Sequence, residues 1–313
     1  MGVKLAQAGC DVSAVARGAT LAALRQHGLR LEEGGSMHAV TLRASESPAN
    51  LGPQDLVVVA VKAPAMTAVA AQIAPLLNAD TLVLTAMNGV PWWFCEGLDG
   101  EYAGKRPKTI DADGSIAAAI PAAWVVGCVV YASSRLNAPG YVKHHQGSRL
   151  ILGDATGKSG ERVKSLCATL ADAGLDASMS DRVQCDVWYK LWGNMTMNLV
   201  SAITGATTDR ILGDDPVRGF VTNVMIEAKE IGVRFGVAID QEPADRHATT
   251  LKLCAMKTSM LQDIEGRRTV ELDALVGAVK ELGKITGVST PFTNALLGLA
   301  RLQARTVRLY PEP

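Results

Sequence analysis

The sequence contains 313 residues with a mass of 32.9 kDa and carries no net charge, since 31 Lys and Arg residues balance 31 Asp and Glu residues. This length favours two domains with sizeable cores, and the neutral balance argues against a nucleic-acid-binding protein with a basic field. The chain is 48% hydrophobic and 20% charged, which excludes intrinsic disorder as its main state, and its apolar runs are too short for a membrane span.

The six cysteines are widely separated and form no C-x-x-C pair, and no histidine stands at zinc-finger spacing. This pattern is typical of a cytoplasmic protein with reduced thiols, and we expect no metal site. Residues 1–9 lack an apolar core of signal-peptide length, so the sequence does not indicate secretion.

Short β-branched runs alternate with helical patterns in the first half of the chain. Residues 11–16, 56–60 and 81–85 are brief apolar runs, typical of strands covered on both faces. Residues 66–77 predict a helix between the last two runs. Strand, helix and strand at this spacing predict a parallel βαβ unit, and hence an α/β domain.

From residue 124 the pattern changes to strands separated by turn residues, with runs at 125–133, 141–145 and 149–152 that predict a hairpin or meander. A helix at 160–173 and a last strand at 175–179 follow. After residue 180 strand signals nearly vanish, and long helical stretches cover residues 188–204, 215–232, 245–263 and 269–287. We therefore predict a sheet domain over residues 1–181 and an all-helical domain over residues 182–313.

Polar residues follow three of the predicted strands. Arg17 comes directly after the first, where an arginine suits the 2′-phosphate of NADP and an acidic residue would suit NAD. Lys62 and Asn88 follow the next two strands, at the sheet edge where open α/β sheets bind ligands. Taken singly, an arginine such as Arg17 after a strand is more often a solvated loop cation, and Lys62 could be a surface charge. Asn88 with Gly89 is commonly only a turn.

Lys190, Asn194 and Asn198 recur at i, i+4 and i+8, which places them in one stripe along one face of a helix. Apolar residues on either side favour burial of this helix, and a buried ammonium is costly unless it is partnered. The alternative is that Lys190 extends to water while the two asparagines satisfy backbone groups.

A second cluster lies at residues 259–271. Ser259 and Asp263 share a helix face, and Gly266 is expected to end that helix. Thr269 is a candidate N-cap of the next helix, which would put Glu271 in its first turn. Read alone, a glutamate at such a position only stabilises the helix.

In their order along the chain these motifs resemble the ketopantoate reductase (2-dehydropantoate 2-reductase) family. The resemblance covers nearly the whole chain, and the lysine helix and the serine-to-glutamate segment carry most of it. The matching segments are residues 5–12, Arg17-Gly18, Val61-Lys62, residues 87–90, Ala138-Pro139-Gly140, residues 190–194 with Asn198, and residues 259–263 with Glu271.

The resemblance implies a Rossmann-type doubly wound sheet domain followed by a helical domain, with NADPH and a small 2-oxo acid bound between them. The implied reaction reduces ketopantoate to pantoate in pantothenate biosynthesis. By motif position Lys190 would be the general acid, and Glu271 would orient Lys190 or the substrate hydroxyl. The same matching assigns the substrate to Asn194, Asn198 and Ser259, and the cofactor to Arg17, Lys62 and Asn88.

Thr208 and Met256 depart from the family, because some members have asparagine at both positions. Either change could alter substrate choice, so reduction of another small 2-oxo acid stays open as an alternative. The sequence also leaves open whether the chain forms a homodimer.

The printed sequence holds no G-x-G-x-x-G turn, which Rossmann domains use to bind the cofactor pyrophosphate. Residues 1–6 instead resemble the interior of the helix that follows such a turn. We therefore expect the first strand and its turn, roughly ten to fifteen residues, to be absent, leaving two inner strand edges unpaired. A non-catalytic chain that has lost cofactor binding is accordingly a further alternative.

Overall fold

A computed structural model describes residues 1–157, 159–252 and 254–312 of the chain. The chain divides into two compact units. The first, here called the sheet unit, contains Met1–Val61, Thr67–Met87 and Ala118–Val183. The second, the helical unit, contains Lys62–Met66, Asn88–Ala117 and Gln184–Pro313.

The two units interleave along the chain more than sequence reasoning predicts. Residues 62–66 and 88–117 follow the carboxyl ends of two strands, yet they group with the helices. The predicted division at residue 181 assigned both segments to the sheet domain. As a consequence, Lys62 and Asn88 lie in the helical unit.

The sheet unit contains a seven-stranded mixed sheet and a separate parallel pair of strands. The large sheet has the order β3-β2-β8-β7-β6-β5 with β9 beside β8, and β1 pairs with β4. The strands are β1 (Ser13–Val15), β2 (Leu29–Glu33), β3 (Ser36–Val40), β4 (Arg43–Ser45), β5 (Leu56–Val59), β6 (Leu82–Thr85), β7 (Val125–Ala138), β8 (Tyr141–Asp154) and β9 (Asp176–Met179).

Strands β1, β5, β6 and β9 lie within the runs that predicted them, whereas β2, β3 and β4 were missed. The strands β2 and β3 are short and mostly half-buried or exposed, so they carry little apolar pattern. The three runs predicted between residues 125 and 152 form one long antiparallel hairpin, β7 and β8. The pairing of β7 with β8 shifts in register near residues 131–134. This irregularity accounts for the turn residues that suggested a third strand.

Among the described residues β1 pairs only with β4, and β5 only with β6. One edge of β1 and one edge of β5 are therefore unpaired among the described residues. The Ser13 hydroxyl at the start of β1 donates to Gln54 Oε1, two residues before β5, at 3.2 Å, so the two edges begin close to each other.

Helices of the sheet unit cover the large sheet and its margins. Helix α1 (Gly2–Gln7) confirms the helical reading of residues 1–6, and α2 (Gly18–His27) follows β1. The helix predicted over residues 66–77 is short, α3 (Met66–Ala70). Pro75 lies in a separate 3₁₀ turn, since proline lacks the N–H that an α-helix interior needs. The remaining helix of this unit is α5 (Glu161–Asp172), whereas α4 (Ser115–Ala119) begins in the helical unit, which includes residues 115–117.

The helical unit is built around one apolar core that includes Trp188, Trp192, Met195 and Phe94, all nearly inaccessible to water. The part of the chain that the structure describes has no helix of sufficient length and apolar character to cross a membrane. Its helices are α6 (Val183–Thr204), α7 (Thr208–Gly213), α8 (Asp215–Arg234), α9 (Pro243–Leu251), α10 (Ser259–Glu265), the π-helical stretch Asp273–Gly277, α11 (Ala278–Thr286) and α12 (Pro291–Thr306).

The single helix predicted over residues 245–263 is wrong, because α9 ends at Leu251 and α10 begins at Ser259. Leu253 in between lies outside the described residues. The break has a local cause, since the buried Thr258 is the N-cap of α10 and its hydroxyl accepts from the Leu261 N–H at 3.3 Å. Gly266 is the C-cap of α10, as predicted.

The helix start predicted at Thr269 is also wrong. Residues 269–271 are not helical, and the helix starts at Leu272 and passes through the π-helical stretch into α11. Thr269 is therefore no N-cap, and Glu271 precedes the first turn instead of lying in it. A π-helical stretch inside an α-helix often occurs at a functional site.

Candidate active site

Helix α6 positions the polar stripe through its opposite face. The indole N–H groups of Trp188 and Trp192 donate to the carbonyl oxygens of Ala228 and Met225, at 3.2 Å and 2.8 Å, and so hold α6 against α8. These tryptophans lie one helical turn apart, and the rotation that buries them turns Lys190 away from the core. The stripe itself is half-buried at Lys190 and Asn194 and buried at Asn198.

Lys190 meets a residue of the loop that follows β6. Its Nζ donates to Asn88 Oδ1 at 2.9 Å, across 102 positions of sequence. This contact brings together the predicted general acid and a residue predicted to bind the cofactor. An amide oxygen that accepts from the ammonium restricts where Nζ can lie.

The loop carrying Asn88 is held against the π-helical stretch. Val90 N–H donates to Ala274 O at 2.8 Å. Gly89 has a φ of +85°, and a Cβ placed on it would lie 2.6 Å from Ala274 O and 2.7 Å from the carbonyl carbon. Only glycine combines this backbone conformation with such a close approach.

Glu271 lies immediately before this stretch and reaches residues 62–66. Its Oε1 accepts from the Ala63 N–H at 2.9 Å. Burial raises the pKa of the Glu271 carboxyl, while the Ala63 N–H and the cations Lys62 and Lys190 act in the opposite direction. The Glu271 carboxyl thus lies in the electrostatic field of Lys190.

Lys62 is also drawn towards the segment between α10 and Glu271. Its Nζ donates to the Thr269 carbonyl and forms an ion pair with Asp263 Oδ2, both at 2.7 Å. The other oxygen of Asp263 accepts from Arg268 Nε at 2.9 Å. Asp263 therefore holds Lys62, the cation that the sequence motifs assign to the cofactor. The helical spacing between Ser259 and Asp263 did not reveal this contact.

The remaining predicted residues are placed as follows. Ser259 is the first residue of α10 and is exposed. Arg17 belongs to the sheet unit, where its exposed guanidinium donates through Nη2 to Gln72 Oε1 at 2.5 Å. Lys62, Asn88, Asn194, Asn198, Ser259, Glu271 and Lys190 all belong to the helical unit.

Two protein-family models match this chain. The chain matches "Ketopantoate reductase PanE/ApbA" over residues 1–157 and "Ketopantoate reductase PanE/ApbA C terminal" over residues 182–304. The chain belongs to the ketopantoate reductase family. Members of this family are pyridine-nucleotide-dependent oxidoreductases, and the resemblance seen in the sequence motifs is thereby confirmed.

Individual members of the ketopantoate reductase family match along almost their full length. The 2-dehydropantoate 2-reductase of Mesorhizobium japonicum is 42% identical over 306 residues, covering 96% of this chain and 93% of that protein. A crystal structure from Ralstonia solanacearum MolK2, described as a ketopantoate reductase, is 50% identical with a TM-score of 0.96 over 99% and 95% of the two chains. A PanE/ApbA family ketopantoate reductase from Ralstonia eutropha JMP134 is 27% identical, with a TM-score of 0.83 over 98% and 95%.

The structure also explains one departure from the family motif. Thr208 Oγ1 donates to the Cys254 carbonyl at 2.9 Å, and Thr208 N–H donates to Met256 O at 3.1 Å. Thr208 is fully buried and holds the connection between α9 and α10. The Thr208 hydroxyl therefore binds the backbone, whereas the longer side chain of an asparagine at this position could reach a ligand.

Proposed function

We propose that this oxidoreductase reduces 2-dehydropantoate to pantoate with NADPH, in pantothenate biosynthesis. The observation that carries the proposal is the ammonium of Lys190, held by Asn88 and lying in the field of the Glu271 carboxyl. Identity of 42% to a 2-dehydropantoate 2-reductase over nearly the whole chain supports the same substrate.

The reaction requires a group that stabilises negative charge on oxygen. When bound, NADPH supplies the hydride that adds to the ketone carbon. Lys190 Nζ carries the proton that the carbonyl oxygen takes up as its charge develops. Because that charge is largest in the transition state, the ammonium stabilises the transition state more than the bound substrate.

Glu271 and Asn88 keep this proton donor in place. Asn88 Oδ1 accepts from the Lys190 ammonium and so restricts where Nζ lies. The Ala63 N–H holds one oxygen of the Glu271 carboxyl, so that group orients Lys190 or the substrate hydroxyl. We assign substrate contacts to Asn194, Asn198 and Ser259.

We assign the cofactor to Arg17, Lys62 and Asn88. The exposed guanidinium of Arg17 follows β1, and Gly18 beside it has open space around it and a φ of +53°. These features fit a bulky anionic group such as the 2′-phosphate of NADPH, and they support NADPH over NADH. Asp263 orients Lys62 for a contact near the end of the cofactor that takes part in the reaction.

Two further assignments accompany the activity. All six cysteines are free thiols, which supports a cytoplasmic location. A homodimer is a separate proposal, and multi-angle light scattering of the purified protein checks it.

Another small 2-oxo acid is the second candidate substrate. The Thr208 hydroxyl donates to the Cys254 carbonyl, and the Met256 side chain has no hydrogen-bond donor. A pocket that lacks both asparagines loses amide contacts to a hydroxyl or carboxylate, which would relax the preference for ketopantoate.

Oxidation of NADPH at 340 nm with a panel of 2-oxo acids tests the proposal. We expect ketopantoate to give the highest kcat/KM. Lys190→Met should lower kcat by about 10²- to 10⁴-fold, the usual contribution of general acid catalysis. Lys164→Met is the control, because Lys164 is an exposed residue of α5 that pairs with Glu161. An unchanged kcat in Lys190→Met would refute the role of Lys190.

A further inference from the structure

Arg246 of α9 packs beside the polar stripe of α6 at Gly193, the one glycine of that helix. A Cβ on Gly193 would lie 2.7 Å from Arg246 Nε and 2.8 Å from Nη2. Any larger residue would displace the guanidinium, so Gly193 creates the space that Arg246 fills. Gly193 directly precedes Asn194, which the proposed function assigns to the substrate.

Tyr189 provides the second surface of this pocket. Arg246 Cζ lies 4.9 Å from the centre of the Tyr189 ring, and Nη1 donates to the Tyr189 hydroxyl at 3.3 Å. Tyr189 and Gly193 are one turn apart on α6, and each precedes a residue of the stripe by one position. The guanidinium therefore lies along the side of the Lys190 and Asn194 stripe.

The carboxylates at the start of α9 form their contacts with groups other than the Arg246 guanidinium. Asp245 Oδ2 accepts from the Glu242 N–H at 3.1 Å, and Glu242 pairs with Lys229 at 2.6 Å. Arg246 Nε is buried and has no hydrogen-bond partner among the described residues. Nε and Nη2 face Gly193 at the position where a Cβ would stand, so an acceptor can approach only the edge formed by Nη1 and Nη2.

We propose that Arg246 binds the carboxylate of the 2-oxo acid. This rests on the proposed function, because it takes the ketone oxygen of that acid to be the group that Lys190 protonates. The carboxylate is attached to the ketone carbon, so its receptor must lie near the proton donor, and Arg246 packs on Tyr189, which directly precedes Lys190 in α6. A planar guanidinium matches a carboxylate with two parallel hydrogen bonds, whereas an ammonium does not. Arg246 thereby supplies the anion recognition that Thr208 and Met256 do not.

The first test compares Arg246→Met and Arg246→Lys with a matched control. Methionine keeps the apolar stem of the side chain, and lysine keeps the charge without the planar fork. Arg305→Met is the control, because Arg305 also stacks on a tyrosine of the helical unit, with Cζ 5.6 Å from the Tyr310 ring. In the NADPH oxidation assay we expect Arg246→Met to raise KM for the 2-oxo acid by about 10- to 100-fold and to change kcat less. Arg246→Lys should lie in between, and the control should match the wild type. Equal KM values in Arg246→Met and Arg305→Met would overturn the proposal.

The second test measures binding without turnover. Calorimetric titration of the full chain with oxamate, an unreactive analogue of a 2-oxo acid, should show affinity that falls about tenfold or more in Arg246→Met. Wild-type protein that reduces no 2-oxo acid but binds oxamate through Arg246 would refute the proposed function and leave this inference intact. No difference between wild type and variant, or no binding by either, would overturn the inference.

Gly193→Ala separates recognition from packing. Alanine favours the helix more than glycine, but its Cβ would displace the guanidinium. We therefore expect an unchanged or higher Tm together with weaker oxamate binding. Unchanged oxamate affinity in this variant would show that the placement of Arg246 serves only packing.

Discussion

Replacing Gly89 by alanine perturbs the contact that places Asn88 beside Lys190. Gly89 has a φ of +85°, where a residue with a Cβ costs about 1–2 kcal/mol. The new Cβ would also lie 2.6–2.7 Å from backbone atoms of Ala274, and forcing such an overlap costs about 1–3 kcal/mol more. The expected loss in the free energy of unfolding is therefore about 2–5 kcal/mol.

Gly100→Ala provides the matched control. Gly100 lies in the same unit with a φ of +76°, but nothing stands within 4 Å of its Cβ position. Both variants lose the same backbone freedom in the unfolded chain, so that effect cancels in the comparison. Gly100→Ala should cost only the backbone term of about 1–2 kcal/mol.

Urea unfolding followed by tryptophan fluorescence measures the difference. Four of the five tryptophans report on the helical unit, namely Trp92, Trp93, Trp188 and Trp192. Gly89→Ala should also lower kcat by about 10-fold or more, since Asn88 would shift away from the ammonium. Equal stability of the two variants would refute the argument that the Ala274 backbone confines Gly89. Lower stability with unchanged kcat would refute the link from Gly89 to Lys190.

Three further variants test separate features. Burial raises the pKa of the Glu271 carboxyl above its ordinary 4.5, so its contribution to stability is complete below that pH and is lost as pH rises through the raised pKa. Glu271→Gln should therefore raise Tm relative to wild type at neutral pH, with the gain disappearing near pH 4. Arg17→Ala should raise KM for NADPH by about tenfold and leave KM for NADH unchanged, with the exposed Arg25→Ala as control. Thr258→Ala should lower the free energy of unfolding by about 1 kcal/mol, measured in urea, because Leu261 N–H loses its acceptor.

Sequence reasoning identified those parts of the site that lie within one element. The period of 3.6 residues is enough to place Lys190, Asn194 and Asn198 in one stripe. Apolar runs likewise predicted β5 and β6 and hence the strand ends from which Lys62 and Asn88 follow. Such patterns are local, and a residue's neighbours along the chain are enough to reveal them.

The partners of these residues could not be predicted in this way. Glu271 accepts from an amide 208 positions earlier, and Lys62 donates to a carbonyl 207 positions later. Backbone donors and acceptors are present at every residue, so no residue type marks Ala63 or Thr269 as a partner. Arg246 was missed for a related reason, because its significance depends on which helix α9 packs against.

The sequence by itself determined the family, the presence of a sheet domain and a helical domain, and the residues of the polar stripe. Periodicity and ordered short motifs are properties of the chain alone. It also showed that local cations must bind any anionic ligand, because the net charge is zero. Only the tertiary structure decided that residues 62–66 and 88–117 group with the helices. It also decided that a π-helical stretch holds the Asn88 loop, because both follow from packing between segments distant in the chain.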